Sequence, residues 1–464
     1  MSQSNPATDS GNGARGLWSS RLAFILAATG SAVGLGNIWK FPYVTGENGG
    51  GAFVLVYLLC IAVIGIPIMM AEVFIGRNGR HNPITSFRLV AERNLASTGW
   101  RLAAIIGMLA AFIILSFYSV IGGWAASYIG HAAAGDFTGG TADSVGAMFG
   151  GLLGSPLQLL GWHTLFMALV VLVVSRGLKA GLERAVTILM PALFVLLLVV
   201  VGYATTTGHF GDAVSFLFTP DFSALTVDGV LVALGHAFFT LSLGMAVMMA
   251  YGSYLSRDTS IGKTAVSVAI IDTVVALMAG LAIFPIVFAN GLEAGAGPGL
   301  IFQTLPLAFG NMPMGTLFGT LFFVLLLFAA WTSGISLLEP VVEWAEEKTS
   351  LGRTGSAVVV GFLCWALGIV SILSLNLWSD ITPLGMFAAF EGKTIFDLLD
   401  YFTANVMLPL SGLLTALFVG WFVAKESLKS DLALADGSFG LWYSLIRYVT
   451  PIAVAVVFVY NLTA

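Results

Sequence analysis

Apolar residues occur along the chain in long runs, and shorter polar, charged or glycine-rich stretches separate these runs. Many runs have about 20 residues, the length of a helix that crosses the hydrocarbon core of a bilayer. The pattern predicts eleven transmembrane helices, at approximately residues 20–43, 50–76, 100–129, 160–176, 184–206, 228–255, 264–290, 314–346, 355–374, 394–423 and 440–462. The predicted fold class is therefore an all-α polytopic membrane protein.

The first predicted span contains a stretch that should not form a regular helix. Residues 30–37 read Gly-Ser-Ala-Val-Gly-Leu-Gly-Asn, and glycine, serine and asparagine are poor helix formers. Unpaired backbone groups at membrane depth are tolerated only where protein or a water-filled cavity surrounds them, so a break here indicates an ion or substrate site. Gly30 and Gly34 also fit a small-residue face for helix packing. The stretch alone does not decide between these interpretations.

A second break is predicted in the sixth span, at residues 240–245, Thr-Leu-Ser-Leu-Gly-Met. The two interrupted spans correspond if spans 1–5 and 6–10 form two halves, and five is odd, so the second half crosses in the opposite sense. Paired breaks in inverted halves point to a secondary transporter, because half-helix N-termini attract carboxylates and free carbonyl groups bind cations. We expect a 5+5 inverted repeat with broken helices 1 and 6. Its parts would be a flexible cytoplasmic tail at 1–14, halves at 15–206 and 207–423, and a cytoplasmic loop with span 11 at 424–464.

Positive charge is distributed unevenly over the connections. Of the 19 Lys and Arg residues, only Lys40 and Lys393 fall on the side opposite to the N-terminus. Basic residues concentrate on the cytoplasmic side of membrane proteins, so we expect a plasma-membrane protein with a cytoplasmic N-terminus and an external C-terminus. The asymmetry also supports the number of spans, since one missed span would move every downstream basic residue to the opposite side of the membrane.

Composition disfavours several functions. Charged residues make up only 9% of the chain and the mean hydropathy is +0.95, whereas soluble domains have roughly 25% charged residues. Cys60 and Cys364 both lie within apolar runs, so no disulfide framework is expected. The five histidines are scattered without Cys/His spacing, which indicates neither a metal cluster nor a nucleophile–base pair. We therefore expect no enzyme, no nucleic-acid partner and no obligate protein partner.

Several motifs resemble those of the neurotransmitter:sodium symporter family. They are Trp18-Ser19-Ser20-Arg21, the stretch from Gly30 to Tyr43, Glu47-Asn48-Gly49-Gly50-Gly51-Ala52-Phe53, Gly65-Ile66-Pro67 with Glu72, Tyr118 with Trp124, Phe238-Phe239-Thr240-Leu241-Ser242, and Thr332-Ser333. They extend over nearly the whole chain in the family's order, and eleven spans resemble the shorter bacterial members. The resemblance implies the leucine-transporter fold and sodium-coupled symport by alternating access.

The resemblance implies two sodium sites built from oxygen ligands, which a small hard cation requires. The first would use the Ala32 carbonyl, Asn37, Thr240, Asp272 and the carboxylate of the substrate. The second would use the carbonyl groups of Gly30, Val33 and Ala329 with the hydroxyl groups of Thr332 and Ser333. Apart from Na⁺ no cofactor is expected, and no chloride.

Asp272 is an unusual residue within a span. The family more often has asparagine here, and its animal members bind chloride nearby. A carboxylate in a membrane helix is costly unless it is paired, so it marks a functional site. We expect Asp272 to supply the negative charge that chloride supplies elsewhere, since Ala276, one turn later, offers no other anion. The alternative is a neutral carboxyl group packed between helices.

The resemblance also implies a substrate that carries its own carboxylate. Gly34 stands where biogenic-amine carriers have an aspartate, and the amide groups of Leu35 and Gly36 with the Tyr118 hydroxyl would bind an α-carboxylate. The complete predicted substrate set is Ser31, Ala32, Gly34, Leu35, Gly36, Ile114, Tyr118, Phe239, Thr240, Ser242, Met245, Ser333 and Leu337. Because most of the side-chain pocket is apolar, a charged substrate side chain would be poorly solvated. We expect a hydrophobic or aromatic L-amino acid such as Trp, Tyr, Phe or Leu.

Two gates follow from the resemblance. The external gate would consist of Lys40, Asp400, Tyr118 and Phe239, and the cytoplasmic gate of Arg15, Trp18, Tyr254 and Glu347. Lysine cannot form the bidentate ion pair of the arginine that is usual at position 40, so we expect a looser external latch.

Three further polar residues lie within the predicted spans. Glu72 would tether the unwound sixth span, and Glu339 would line the inner water pathway. His236 could titrate near neutrality, but a hydrogen-bonded position between helices is the favoured interpretation.

The predicted function is a sodium-coupled symporter of a hydrophobic or aromatic amino acid. Within transport, the alternative is a sodium-coupled carrier of a small osmolyte or ω-amino acid, which an apolar pocket disfavours. A channel is the alternative outside this class, and it would need a repeated pore-lining ring. For the gate charges and for Met245, ordinary solvation and packing are the competing explanations.

Overall fold

A computed structural model describes residues 16–295 and 299–463, and every regular element in these ranges is helical. The predicted N-terminal tail and Arg15 lie outside the described residues. Within the described ranges, β-type pairing is limited to an isolated bridge between Gly50 and Pro220. The predicted all-α class is therefore confirmed.

Nine of the described helices are long and apolar enough to cross a membrane without interruption. They are Gly51–Gly79, Thr98–Ala134, Pro156–Val174, Leu178–Thr207, Ile261–Ala289, Gly315–Lys348, Gly352–Ser374, Ile395–Phe422 and Asp436–Tyr460. The two other predicted spans are broken helices, Arg21–Ala32 with Gly36–Glu47 and Val227–Thr240 with Val247–Ser253. We number the spans 1 to 11 in chain order. The predicted polytopic architecture, with breaks in spans 1 and 6, is confirmed.

The span ends fall on two sides of the bundle. We call the side that holds Arg21 the first side and the side that holds Glu47 the second side. On the first side the backbone N–H of Trp18 donates to the Tyr254 carbonyl at 3.2 Å, so the start of span 1 meets the end of span 6.

The connections contain short helices of their own. On the second side, Ala142–Leu153, Leu300–Thr304 and Leu305–Asn311 are helical. The helices Pro83–Arg93, Phe210–Phe218 and Lys425–Leu432 were not predicted. Asn82 caps the first of these by accepting a hydrogen bond from the Thr85 N–H at 3.1 Å, an N-cap contact that a sequence pattern can show.

Span 1 bends by 50° at its break. The regular helix ends at Ala32, the N–H of Val33 donates to the Thr29 carbonyl at 2.6 Å, and Val33 is extended with ψ 103°. A π-helical turn, Gly36–Lys40, then begins the second half. The last carbonyl groups of a helix lack intrahelical partners, so the break leaves backbone oxygen atoms available in the middle of the bundle.

Span 6 unwinds between Thr240 and Val247. Three residues there have positive φ: Ser242 at 53°, Gly244 at 71° and Ala246 at 59°. A side chain at Gly244 would overlap the Leu408 carbonyl oxygen, so glycine is required by space as well as by conformation. The Glu72 carboxylate accepts the Gly244 N–H at 2.8 Å, and this is the contact expected of the predicted tether.

Close helix packing surrounds both breaks. Span 3 packs along span 8, and the first half of span 1 packs against spans 7 and 8. Gly30 permits the approach of span 5, because a Cβ there would lie 3.1 Å from the Met190 sulfur. Small residues at such contacts let membrane helices pack closely. The breaks are therefore enclosed by protein, which satisfies the condition for unwound backbone at membrane depth.

Candidate functional site

The two breaks form a central cavity with the middle of spans 3 and 8. Its lining residues are Ser31, Ala32, Gly34, Leu35, Gly36, Ile114, Tyr118, Phe239, Ser242, Met245, Ser333 and Leu337. This is the predicted substrate set without Thr240, whose hydroxyl contacts Asp272 instead. The volume of the central cavity is only about 20 Å³, close to the space of one water molecule. A large substrate side chain therefore requires its walls to move.

Hydroxyl groups join the two breaks directly. Ser31 Oγ donates to Ser242 Oγ at 3.0 Å, and Ser242 Oγ donates to the Ser31 carbonyl at 2.9 Å. The Leu35 N–H donates to the Tyr118 hydroxyl at 3.2 Å. Backbone and hydroxyl groups of both breaks therefore border an otherwise apolar cavity, an arrangement that can bind a small zwitterion.

A side chain larger than that of glycine would be crowded at two positions of this wall. A Cβ at Gly34 would overlap Ser333 Oγ and lie 3.0 Å from the Tyr118 hydroxyl, and a Cβ at Gly36 would lie 3.2 Å from the Phe239 ring. Any larger residue at position 34 would occupy the space between spans 1, 3 and 8. The glycine pattern of span 1 thus maintains both the break and the cavity.

The residues predicted for the first sodium site form one buried cluster. Asn37 Nδ2 donates to the Asp272 carboxylate at 2.8 Å, and Asn37 Oδ1 accepts the Gly34 N–H at 3.0 Å. The Thr240 hydroxyl lies 3.2 and 3.1 Å from the two carboxylate oxygens of Asp272. Ala32 lines the adjoining cavity. The cluster offers carboxylate, amide and hydroxyl oxygen atoms, the ligand types that hard cations prefer.

The residues predicted for the second sodium site also lie together, where span 8 crosses the break in span 1. Ser333 Oγ is 3.5 Å from the Gly30 carbonyl oxygen and 3.4 Å from that of Val33. The Thr332 hydroxyl donates to the Ala329 carbonyl at 3.1 Å. Two hydroxyl groups and three carbonyl groups from two helices thus form a second oxygen cluster.

A larger cavity of about 310 Å³ extends from the central site toward the second side. Lys40 and Asp400 both line it, but they form no ion pair among the described residues. Instead Lys40 Nζ lies 5.1 Å from the centre of the Phe239 ring, a cation–π distance. Tyr118 and Phe239 line both cavities, so these two aromatic side chains separate the central site from the outer one.

The first side is closed by aromatic and ionic contacts. The Trp18 indole N–H donates to the Tyr251 carbonyl at 3.1 Å, and its ring lies 6.2 Å from that of Tyr254. The Tyr254 hydroxyl donates to Glu339 at 3.1 Å, and Arg353 pairs with the same carboxylate. Glu339 is completely buried. In this arrangement Arg353 from span 9 covers the carboxylate, and the expected place of Glu339 on an inner water pathway stays a prediction.

Glu347, predicted for the same gate, holds the connection between spans 2 and 3. Its carboxylate accepts the backbone N–H of Asn82 at 2.9 Å and lies 3.5 Å from His81 Nδ1. Its predicted partner, Arg15, lies outside the described residues, so their pairing stays a prediction.

Comparison with known proteins now identifies the family. The model of the sodium:neurotransmitter symporter family matches residues 15–139 and 151–464. The chain belongs to this family.

Relatives of the symporter are similar over nearly its whole length. A sodium-dependent transporter of Bacillus subtilis, YhdH, is 40% identical over 445 residues, which cover 95% of this chain and 96% of the relative. A sodium-dependent transporter of Haemophilus influenzae is 36% identical, covering 97% and 99%. Among solved structures, MhsT in complex with L-phenylalanine has 43% identity and a TM-score of 0.88, covering 96% of this chain and 100% of that one. The protein is thus a sodium-dependent membrane symporter with the predicted fold.

Two features of the symporter escaped the sequence analysis. Arg353 was used only to orient the helices, although it is the cation that pairs with Glu339. Its position in the first turn of span 9 was the available signal. The hydrogen-bonded position favoured for His236 is wrong: within the described part of the chain neither ring nitrogen has a partner. The ring lies 5.8 Å from Phe41 and 5.3 Å from Tyr57, so aromatic packing positions it.

Proposed function

We propose that this symporter imports a hydrophobic or aromatic L-amino acid of the Trp, Tyr, Phe and Leu class, coupled to two Na⁺ ions. The observation that carries the proposal is the composition of the central cavity. Polar backbone groups of span 1 and the Tyr118 hydroxyl line it together, and Ile114, Phe239, Met245 and Leu337 provide apolar walls. An α-amino acid has the matching polar end and an apolar side chain avoids the cost of burying charge.

Sodium and substrate would stabilise each other at the first site. A substrate carboxylate near Leu35 and Gly36 would approach the oxygen cluster formed by Asn37, Thr240 and Asp272. A cation in that cluster would bind both the protein oxygen atoms and the substrate carboxylate. Binding linkage is reciprocal, so sodium would raise the affinity for substrate and substrate would raise the affinity for sodium. This mutual effect is the basis of coupled transport in the proposal.

The second site would couple sodium to the closing of the first side. Its proposed ligands come from span 1 at Gly30 and Val33 and from span 8 at Ala329, Thr332 and Ser333. A bound cation would hold the two helices together, and its loss would allow the contacts of Trp18 on the first side to separate. We assign the first side to the cytoplasm, in agreement with its excess of basic residues.

Chloride independence is part of the proposal. Asp272 already places a carboxylate beside the first site, where it contacts Asn37 and Thr240. A fixed negative charge balances sodium as a bound anion would. Replacement of chloride by gluconate should therefore leave sodium-dependent uptake unchanged, and chloride-dependent uptake would contradict this role.

A carrier of a small or ω-amino acid is the second candidate. The small volume of the central cavity, about 20 Å³, favours it. The complex of MhsT with L-phenylalanine supports the first candidate, because that protein is 43% identical to this chain over almost its full length.

Binding of radiolabelled tryptophan to the purified protein, in sodium and in potassium, tests the proposal. Sodium-dependent binding that Tyr, Phe and Leu displace is expected. γ-Aminobutyrate and glycine betaine serve as competitors of the second class. If sodium stabilises the protein thermally but tryptophan does not bind, the substrate class is wrong. If sodium has no effect at all, the two proposed ion sites are wrong.

A further inference from the structure

A separate cavity of about 260 Å³ lies on the first side, between the adjoining ends of spans 4 and 5 and the middle of span 8. We call it the span 4–5 cavity. None of the residues that line it belongs to the proposed substrate or sodium sites. Two arginines, Arg176 and Arg184, line it together with the indole of Trp331.

The local backbone sets the position of the two arginines. Span 4 ends at Val174, and span 5 begins with a π-helical turn, Leu178–Glu183. A Cβ at Gly181 would overlap the Val173 carbonyl oxygen, so this turn packs directly on the end of span 4. The connection is therefore short and tight, and it carries Arg176 and Arg184 on its two sides.

The span 4–5 cavity carries positive charge. Neither Arg176 nor Arg184 forms an ion pair within the ranges that the structure describes. Glu183, the acidic residue next to Arg184, is engaged elsewhere, because its carboxylate accepts hydrogen bonds from the N–H of Ser19, at 3.2 Å, and from its hydroxyl. Two guanidinium groups thus share one cavity, and no acidic residue is among the described residues that line it.

The cavity adjoins an exposed apolar face of span 5. Ile188 lines it and is 60% exposed, and Val195 and Leu198 continue this exposed face. Exposed apolar side chains of a membrane span face acyl chains. Trp331 also lines the cavity, and its indole nitrogen is buried and has no hydrogen-bond partner among the described residues, so this side chain has an unused donor.

We infer that the span 4–5 cavity binds the phosphate of an anionic phospholipid. Guanidinium groups bind phosphate oxygens in a bidentate manner, and basic pockets between membrane helices on the cytoplasmic side bind acidic headgroups. The acyl chains would lie along the face of Ile188 and Val195. The inference depends on neither the proposed substrate nor the proposed ion sites, but its assignment to the inner leaflet uses the orientation proposed above.

Lipid titration of the delipidated protein in detergent tests the inference, with thermal stability and native mass spectrometry as readouts. Phosphatidylglycerol is the probe, and phosphatidylcholine and inorganic phosphate are the controls. We expect phosphatidylglycerol alone to bind and to raise the melting temperature. Equal protection by inorganic phosphate would replace the lipid assignment with a free-anion site, and equal protection by phosphatidylcholine would contradict any headgroup recognition.

Three variants distinguish lipid binding in this cavity from general attraction of the lipid to a basic surface. Arg176→Gln with Arg184→Gln should weaken phosphatidylglycerol binding about thirtyfold. Lys179→Gln removes a charge from the same turn outside the cavity and should have a smaller effect. Ala180→Trp keeps every charge but fills the cavity, whose lining includes Ala180, and it should abolish the binding.

Ala180→Trp still tests the inference if the double arginine variant folds poorly. Surface attraction depends only on charge, so it predicts wild-type affinity for Ala180→Trp. Unchanged binding in that variant, or equal losses for Lys179→Gln and for each single arginine variant, would overturn the inference.

Discussion

Asn37 donates its side-chain amide to the carboxylate of Asp272 at 2.8 Å, and this contact joins the break in span 1 to the middle of span 7. Both side chains are completely buried. A polar pair at this depth is costly unless all its groups find partners, and Thr240 from span 6 supplies another hydrogen bond. Three helices therefore meet at one carboxylate.

Asp272→Asn should weaken sodium binding. The substitution retains the size of the side chain but removes its charge, and a hydrogen bond to a charged group contributes roughly 1.5–3 kcal/mol. We expect the sodium concentration for half-maximal tryptophan binding to rise roughly tenfold to a hundredfold. Asp212→Asn, at an exposed position outside the spans, is the matched control. An unchanged sodium dependence would contradict the assignment of Asp272 to the first site.

Thr332→Ala combined with Ser333→Ala should abolish sodium-dependent uptake. Both hydroxyl groups would be ligands of the second site, and alanine offers no oxygen atom to replace them. Uptake into proteoliposomes under a sodium gradient measures the effect. Thr320→Ala is the control, because Thr320 lies on the same span and its hydroxyl also bonds a backbone carbonyl of its own helix. Intact sodium-dependent uptake in the double variant would refute the second site.

Gly34→Ala should reduce substrate affinity without unfolding the protein. The added methyl group would overlap Ser333 Oγ, and overpacking of this kind costs about 1–3 kcal/mol. Roughly a tenfold to hundredfold loss of tryptophan affinity follows. Gly202→Ala is the control, since nothing lies within 4 Å of a Cβ there. Equal affinity in the two variants would show that position 34 does not border the substrate.

Met245→Phe should change substrate preference. Methionine is a flexible wall that adapts to different side chains, and a rigid ring would reduce the space for an indole more than for a leucine side chain. We expect the affinity for tryptophan to fall about tenfold relative to that for leucine. Competition binding measures the ratio, with the exposed Met386→Phe as control. A parallel loss for both amino acids would indicate a packing role instead.

Arg353→Gln should destabilise the closed first side. Removing one partner of a buried ion pair leaves an uncompensated charge and costs roughly 3–5 kcal/mol. Glu339→Gln in the same protein should restore much of the stability, because no buried carboxylate then remains. Thermal unfolding compares the single and double variants. If the double variant is no more stable than Arg353→Gln, the pair does not act as a unit.

The sequence alone determined the membrane spans and the positions of their two breaks. Hydropathy fixes the number of spans because helix is the structure that satisfies every backbone group within a single membrane segment. The two breaks were visible because Gly30, Gly34 and Gly36 in span 1, and Gly244 in span 6, interrupt apolar runs. The proposed site residues were inferred by resemblance to a family, and their roles stay predictions until the variants are measured.

The predicted ends of the spans were less accurate than their number, and the reason is local. Span 5 begins at Leu178 rather than near 184, because a π-helical turn continues through the polar residues of the predicted loop. Polar residues at a membrane surface are compatible with either helix or loop. Only the close packing of Gly181 on the Val173 carbonyl group distinguishes the two structures here.

Tertiary structure decided which polar groups meet. The sequence could place Glu339 and Arg353 on neighbouring spans, but it could not show that the guanidinium covers the carboxylate. It also could not show that His236 packs against two aromatic rings without a hydrogen bond to any described residue, or that Lys40 lies over Phe239 rather than in an ion pair with Asp400. Hydrophobic burial selects the segments that enter the membrane, whereas partner choice depends on helix rotation and depth, which are set by packing among all the spans at once.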